Sequence, residues 1–130
     1  MKEVFDFLKK AGTFYVATAE GDQPRVRPFG AVIEFEGKMY FITGKVKDIF
    51  KQIEKNPKVE ILAMHEGNWM RIETKLVNDE NVAAKEAMLE AYPSLKSAYS
   101  PTDDNMAVLY LDGGKATLAS MTDAPVVYDF

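Results

Sequence analysis

Short strand-like segments separated by turn residues are the feature that most limits what this chain can fold into. The segments are rich in β-branched and aromatic residues, and Gly, Pro, Asn or Asp stands between most of them. Strands this short and numerous favour an antiparallel barrel, because a barrel removes the exposed edges of an open sheet. Seven segments are predicted to be strands: residues 13–19, 25–35, 39–43, 58–65, 69–77, 106–111 and 115–120.

Three other segments carry the helical period, in which apolar residues recur three or four positions apart. The first ends at Gly12, the second follows Gly44, and the third runs from an N-cap at Asp79 through Ala91. Residues 94–104 are polar and are predicted to form a loop. The buried side chains predicted on the third helix are Val82, Ala83, Met88 and Leu89.

Composition indicates one domain and excludes several classes of protein. The 130 residues are 47% hydrophobic, which is enough for one core, so residues 1–130 are predicted to form a single domain. The absence of cysteine excludes disulfides, thiolate catalysis and Cys-based metal sites. No apolar run has the length of a membrane span, and the N-terminus lacks the apolar stretch of a signal peptide. We therefore expect a soluble cytoplasmic protein with no membrane partner.

The net charge of −4 makes nucleic acid an improbable partner, because binding to phosphate backbones depends on clustered positive charge. The charge is, however, unevenly distributed. Residues 1–58 contain eleven Lys or Arg and eight Asp or Glu, whereas residues 59–130 contain five and twelve. The positive groups are concentrated in the first half of the chain, which favours this half as the binding site of an anionic ligand.

The start of the second helix is the strongest local signal for such a ligand. Lys45 and Lys47 lie beside the positive end of the helix dipole, an arrangement that costs about 0.3–1 kcal/mol. A bound phosphate would offset this cost, because free backbone N–H groups, the Thr43 hydroxyl and the ammonium groups would converge on it. The alternative is a solvated lysine-rich helix in which Asp48 compensates part of the charge, and the residues alone leave both open.

A second signal lies on the second predicted strand. Pro28 cannot donate to a strand ladder, so it indicates an edge strand with backbone groups free for another partner. Arg25 and Arg27 share one face by the two-residue period, and burial of either would require an anion. The alternative interpretation is a pair of exposed arginines on an edge strand.

Together these segments resemble a known family. The run Arg25-Val26-Arg27-Pro28, the meander into Phe41-Ile42-Thr43 and the lysine-bearing helix ending in Asn56-Pro57-Lys58-Val59 resemble the FMN-binding split-barrel superfamily of pyridoxamine 5′-phosphate oxidase. The resemblance covers most of the chain. It implies a mainly β fold, an antiparallel Greek-key split β-barrel with about three helices, and a homodimer that binds FMN in a cleft between protomers.

The resemblance also implies roles for individual residues. Arg27 matches the phosphate-binding arginine of the family, and Lys47 matches a polar or basic phosphate ligand at the helix start. Val32 stands where the larger oxidases carry a lysine, so the chain is more similar to the short flavin reductase-like and nitroimidazole-resistance-like members. The predicted cofactor-binding residues are Arg25, Val26, Arg27, Pro28, Phe29, Ile42, Thr43, Lys47, Lys51 and Trp69, the last reaching the flavin of the partner protomer together with Arg71.

No side chain is an evident catalytic acid, base or nucleophile. His65 is the single histidine and is predicted to be structural, and no cluster of ligating residues indicates a metal site. The predicted function is therefore hydride or electron transfer through non-covalently bound FMN at a dimer interface, with a small-molecule redox substrate. Two alternatives stay open: a non-enzymatic module of the same fold that binds or stores flavin, haem or deazaflavin, and an interaction protein without a cofactor.

Overall fold

The computed structural model describes all 130 residues and contains nine strands, three α-helices and one 3₁₀ helix. No helix has the length and apolar character that crossing a membrane would require. The helices are α1 (Lys2–Ala11), α2 (Asp48–Lys55), α3 (Val82–Ala91) and the 3₁₀ helix (Pro93–Ser97). The strands are β1 (Phe14–Glu20), β2 (Gln23–Phe29), β3 (Ile33–Phe35), β4 (Lys38–Gly44), β5 (Lys58–His65), β6 (Asn68–Asp79), β7 (Met106–Leu111), β8 (Lys115–Ser120) and β9 (Val126–Asp129).

All strand pairs are antiparallel, and the order along the main path is β2-β1-β5-β6-β7-β4-β3. The long strand β6 belongs to two arms of the sheet: the first arm also contains β1, β2, β5, β8 and β9, and the second arm also contains β3, β4 and β7. Residues 68–73 of β6 pair with β8, whereas residues 76–79 pair with β7. Strand β9 extends the first arm by pairing with β8. The sheet curls without closing, which confirms the predicted split barrel with flanking helices.

The core lies inside the curled sheet and is built by the inward positions of alternating strands. On β1, Phe14 and Val16 are fully buried while Tyr15 between them is exposed, as the two-residue period dictates. Helix α1 packs against this core through Val4 and Leu8. A smaller apolar cluster, formed by α3 with β3, β4 and β7, lies on the other side of the sheet.

The second predicted strand is in fact two strands. Residues 25–35 were expected to form one strand that pairs with the next, but β2 pairs only with β1 and β3 pairs only with β4. The chain passes from one arm of the sheet to the other through residues 30–32, directly after Pro28 and Phe29. Both β2 and β3 are therefore edge strands, in agreement with the edge position expected for Pro28.

Helix α3 starts two residues later than the sequence indicated. Its N-cap is Asn81, whose Oδ1 accepts hydrogen bonds from the amides of Ala83 (2.9 Å) and Ala84 (3.4 Å). Asp79 instead ends β6, and its carboxylate accepts from the Asn81 amide at 3.1 Å. Ala84, Lys85, Met88 and Leu89 recur at i, i+1, i+4 and i+5 and therefore share one face of the helix, whereas Val82 and Ala83 lie off that face in the first turn. The predicted burial of Met88 and Leu89 is confirmed, whereas Ala84 and Lys85 are buried in place of Val82 and Ala83.

Smaller differences concern segments with weak local signals. The predicted loop at 94–104 begins within the 3₁₀ helix, and β9 was not predicted at all. The hairpin between β5 and β6 has a two-residue connection, Glu66 and Gly67, instead of the three residues expected. Both have positive φ, at 48° and 79°, which is the conformation that the tightest hairpin turns require.

The close approach at Gly114 leads to a stability prediction. A Cβ atom there would lie 2.7 Å from the Glu73 carbonyl oxygen and 2.8 Å from the Phe130 ring, and φ is 151°. We expect Gly114→Ala to lower the free energy of unfolding by about 1–3 kcal/mol, as overpacked sites do. Gly30→Ala is the control, because its nearest neighbour is 3.8 Å away, and should cost about 0.5 kcal/mol or less. Equal urea midpoints for the two variants would contradict this account.

Candidate functional site

A cavity of about 400 Å³ lies in the gap between the two arms of the sheet, where the chain passes from β2 to β3. This volume falls within the usual range for small-molecule sites, about 300–1,000 Å³. One wall is the end of β2 with the crossover that follows it, and the opposite wall is the end of β4 with the start of α2. The 3₁₀ helix and its flanks cover a third side. The lining residues are Arg27, Pro28, Phe29, Gly30, Ala31, Ile42, Thr43, Lys47, Ile49, Tyr92, Ser94, Leu95 and Tyr99.

Arg27 lies on the inward face of β2 and is held in place by neutral oxygens. Its Nη1 donates to the Val16 carbonyl oxygen at 3.1 Å and to Thr18 Oγ1 at 2.8 Å. Its Nη2 donates to Gln52 Oε1 at 2.7 Å. Gln52 belongs to α2 and is itself buried, so this network connects the helix to β1 and β2. The guanidinium group is thus fixed at the junction of two strands and a helix.

The half-buried charge of Arg27 has no carboxylate partner. Arg25, two residues earlier, forms an ion pair with Glu20 at 2.9 Å, whereas Arg27 forms none. Burial lowers the pKa of Arg27, and the nearby Asp48 opposes this effect only in part. Three of the five guanidinium N–H groups are used in the network, which leaves two for a ligand. A desolvated cation with free donors in a cavity favours an anionic ligand.

The start of α2 supplies further donors. Its N-cap is Lys47, and no side chain caps the helix. The Phe50 amide donates to the Lys47 carbonyl oxygen, but the amides of Asp48 and Ile49 have no acceptor within the protein. Lys47 is exposed and forms no ion pair, and both Lys47 and Ile49 line the cavity. The helix therefore presents unpaired N–H groups and an ammonium group on the side where Arg27 lies.

Lys45 has a different role from the one that its position near the helix start indicated. Its Nζ lies 2.8 Å from Glu80 Oε1, and Lys85 Nζ lies 3.2 Å from Glu80 Oε2. Hydrogen bonds from Lys45, Asn78 and Lys85 lower the pKa of Glu80 to about 2. Lys45 is therefore paired with Glu80, which it shares with Lys85, and does not line the cavity.

The remaining wall is mostly apolar and is fixed by the hydroxyl group of Tyr92. This hydroxyl accepts from the Val32 amide at 3.2 Å and from Lys9 Nζ at 2.9 Å, and it donates to the Val32 carbonyl oxygen at 3.1 Å. These bonds attach the start of the 3₁₀ helix to the crossover between β2 and β3. As a result, Leu95 and Tyr99 face the cavity from a fixed segment.

Six of the ten residues predicted to bind the cofactor line this cavity, and four lie elsewhere. Arg25 is exposed and paired with Glu20, Val26 is on the outward face of β2, and Lys51 is exposed beside a separate groove with Lys55. Trp69 is on β6 opposite Met64, on the outer face of the sheet. The six in the cavity are Arg27, Pro28, Phe29, Ile42, Thr43 and Lys47.

Several site residues were missed by the sequence analysis. Thr18 shares the inward period of β1 with Phe14 and Val16, so a buried hydroxyl could have been expected there. Gln52 lies on the same helix as Lys51 and carries no distinctive motif. The cavity residues on and beside the 3₁₀ helix, Tyr92, Ser94, Leu95 and Tyr99, come from a segment whose position depends on long-range contacts.

The fold and this geometry define a split-barrel protein with a cationic cavity in the gap between its two arms. The sequence model of the pyridoxamine 5′-phosphate oxidase family matches residues 1–123, and the chain belongs to this family. No curated protein matches the sequence significantly.

Solved structures agree with this assignment. A NimC/NimA family protein from Clostridium acetobutylicum is 49% identical, with a TM-score of 0.93 over 98% of this chain and 93% of the other. Two more distant structures share the fold. One is a pyridoxamine 5′-phosphate oxidase-related, FMN-binding protein from Nostoc punctiforme (13% identity, TM-score 0.63, 99% and 93% covered). The other is a heme-binding protein from Mycobacterium smegmatis (13% identity, TM-score 0.73, 94% and 57% covered).

The low pKa of Glu80 predicts a specific dependence of stability on pH. A carboxylate whose pKa falls from 4.5 to about 2 on folding stabilises the protein above pH 4.5, and this contribution is lost as the pH falls toward 2. Glu80→Gln lacks this titration. We therefore expect the difference in unfolding free energy between wild type and Glu80→Gln to shrink between pH 6 and pH 3, measured by urea unfolding. A difference that is constant or grows over this interval would contradict the assignment.

Proposed function

We propose that this protein binds FMN non-covalently in the cavity and is an oxidoreductase that exchanges hydride or electrons with a small-molecule redox substrate through it. The observation that carries the proposal is the half-buried Arg27, which has two free N–H donors and no carboxylate partner. Membership of the pyridoxamine 5′-phosphate oxidase family supports a cofactor of this class.

The phosphate of FMN fits the cationic end of the cavity. Arg27 offers a planar pair of donors, Lys47 offers a second positive charge, and the amides of Asp48 and Ile49 offer unpaired N–H groups. These groups come from β2 and from α2, and Gln52 joins the two elements through its contact with Arg27. Arg27 and the helix amides are held in place before any ligand binds, which reduces the entropic cost of binding.

The apolar end of the cavity fits a planar ring system. Phe29 and Ile42 lie on opposing strands, and Leu95 and Tyr99 cover the side. The edge strand β2 leaves backbone groups around Pro28 unused by a further strand, so polar atoms on a ring edge could bind there. Thr43, which also lines the cavity, adds a hydroxyl group. Bound FMN supplies the redox chemistry, while these residues bind it, orient it and exclude water from one face.

A homodimer is part of the proposal, because the outer face of the first arm of the sheet exposes several large apolar side chains. Tyr15, Leu62 and Met64 are 42%, 36% and 59% exposed, and Tyr15 lies opposite Leu62 while Met64 lies opposite Trp69. The ion pair of Arg71 with Glu60 lies on the same face. An apolar cluster beside polar residues is typical of interfaces. Pro28 pairs with Tyr15 and also lines the cavity, so the site adjoins this face. A second copy docked here would bring Trp69 toward the flavin of its partner.

Substitution of Arg27 tests the phosphate site. We expect Arg27→Ala to raise the Kd for FMN about 10- to 100-fold, since hydrogen bonds to charged groups contribute about 1.5–3 kcal/mol. Lys47→Ala should raise it about threefold, because an exposed charge contributes less. Arg25→Ala is the matched control, with an exposed guanidinium on the same face of β2, and should leave Kd unchanged. Quenching of flavin fluorescence measures all four proteins.

Three results would count against the proposal. Equal losses for Arg27→Ala and Arg25→Ala would show that general charge, and not the cavity, attracts the ligand. A wild-type protein that binds no flavin but gives a Soret band with haem would support the haem-binding alternative. A protein that binds neither would support an interaction protein without a cofactor. Where FMN binds, bleaching of its absorbance by a reduced nicotinamide distinguishes an oxidoreductase from a flavin store.

Substitution of Met64 tests the dimer. Met64→Lys places a charge among the exposed apolar side chains of this face, and we expect it to convert a dimer into a monomer in light scattering. The control is Met121→Lys, because Met121 is 88% exposed and lies outside the strands. A wild-type protein that is monomeric at micromolar concentration, or a Met64→Lys protein that stays dimeric, would contradict this interface.

A further inference from the structure

We propose that Asn105 is a positioning residue for the phosphate group, a role that rests on the proposed FMN site. Asn105 lies between the 3₁₀ helix and β7 and does not line the cavity. It acts through the phosphate turn, which we define as residues 44–47, between β4 and α2. This turn carries Lys47 and leads directly into the free amides of α2.

Asn105 binds the phosphate turn through both its main chain and its side chain. The Lys45 amide donates to the Asn105 carbonyl oxygen at 2.7 Å, and the Val46 amide donates to Asn105 Oδ1 at 3.1 Å. Within the turn, the Lys47 amide donates to the Gly44 carbonyl oxygen at 3.0 Å. The amides of Lys45, Val46 and Lys47 therefore already donate to oxygen atoms of the protein. The next two, those of Asp48 and Ile49, are left for a ligand.

Gly44 adds a steric reason for the same placement. A Cβ atom at Gly44 would lie 3.0 Å from Asn105 Nδ2 and 3.2 Å from Asn105 Oδ1. The residue has no unusual φ, so the obstacle to a side chain here is the Asn105 amide group, which would have to shift by a few tenths of an ångström. The turn and the Asn105 side chain are thus in direct contact.

Asn105 is in turn held by Asp103. The Asp103 Oδ1 atom accepts from the amides of Asn105 (2.9 Å) and Met106 (2.7 Å), and Oδ2 accepts from the Ser100 amide (2.9 Å). These backbone hydrogen bonds hold the pKa of Asp103 below its ordinary value. Ser100 follows Tyr99, which lines the cavity. The loop that fixes the phosphate turn is therefore continuous with one wall of the site.

Through this arrangement Asn105 acts on the phosphate end of the ligand and not on the ring end. Asn105 is hydrogen-bonded to the turn that carries the phosphate donors and to none of the apolar residues that line the cavity. Its loss should therefore weaken recognition of the phosphate and leave binding of the ring unchanged. FMN and riboflavin share the ring and differ in the phosphate, so the ratio of their affinities reports on recognition of the phosphate and is insensitive to a change at the ring.

The experiment compares Kd values for FMN and riboflavin by fluorescence quenching in wild type, Asn105→Ala and Asn56→Ala. Asn56 is a matched control at the other end of α2, where its Oδ1 accepts from the Lys58 amide at 3.1 Å. We expect Asn105→Ala to raise the Kd for FMN about tenfold, the effect of one well-placed hydrogen bond, with riboflavin unchanged. Asn56→Ala should change neither Kd.

Gly44→Ala is a second variant that displaces the Asn105 side chain without removing it, and it should lower the preference for FMN in the same way. An unchanged FMN-to-riboflavin ratio in a folded Asn105→Ala or Gly44→Ala protein would overturn the role of Asn105. Equal weakening of both flavins would do so as well, because it would indicate general destabilisation. A wild-type protein that binds neither flavin would instead refute the proposed function itself.

Discussion

The passage of the chain from β2 to β3 is the constraint on which the rest of the structure depends. Because β2 is hydrogen-bonded to β1 and β3 to β4, the two arms of the sheet separate here and no ladder bridges them. Aromatic packing joins them instead: the ring centroids of Phe14 and Phe41 are 4.8 Å apart, and those of Phe29 and Phe41 are 5.8 Å apart. The cavity lies beside this contact. A sheet that continued from β2 into β4 would have no room for a ligand.

The gap also determines what kind of ligand fits. Arg27 projects inward from the edge strand, where burial penalises its charge and the available partners are neutral oxygens of Val16, Thr18 and Gln52. Two neighbouring cations have partners within the protein, since Arg25 pairs with Glu20 and Lys45 pairs with Glu80. Arg27 and Lys47, which have no such partner, lie at one end of the cavity, and apolar side chains surround the other end. An anionic group attached to a flat ring matches this division.

Local patterns in the sequence predicted most of the strands and the polar end of the site, since both depend on neighbours along the chain. The lysines at the start of α2 and the proline on β2 carried that information. The break between β2 and β3 was not predicted, because residues 25–35 are strand-like throughout and only pairing with different partners separates them. The role of Lys45 was not predicted either, since Glu80 is distant in sequence. The same holds for the wall around Tyr92, which reaches its place through Val32 and Lys9.

The central claim is that an anion occupies the space between Arg27 and the first amides of α2. A crystal structure of the protein with FMN tests this most directly, because it locates the phosphorus atom. The account predicts phosphate oxygens about 3 Å from an Arg27 Nη or Nε atom and from the amide of Asp48 or Ile49, with the ring between β2 and Tyr99. A phosphate bound elsewhere, with Arg27 still bonded only to protein oxygens, would contradict it.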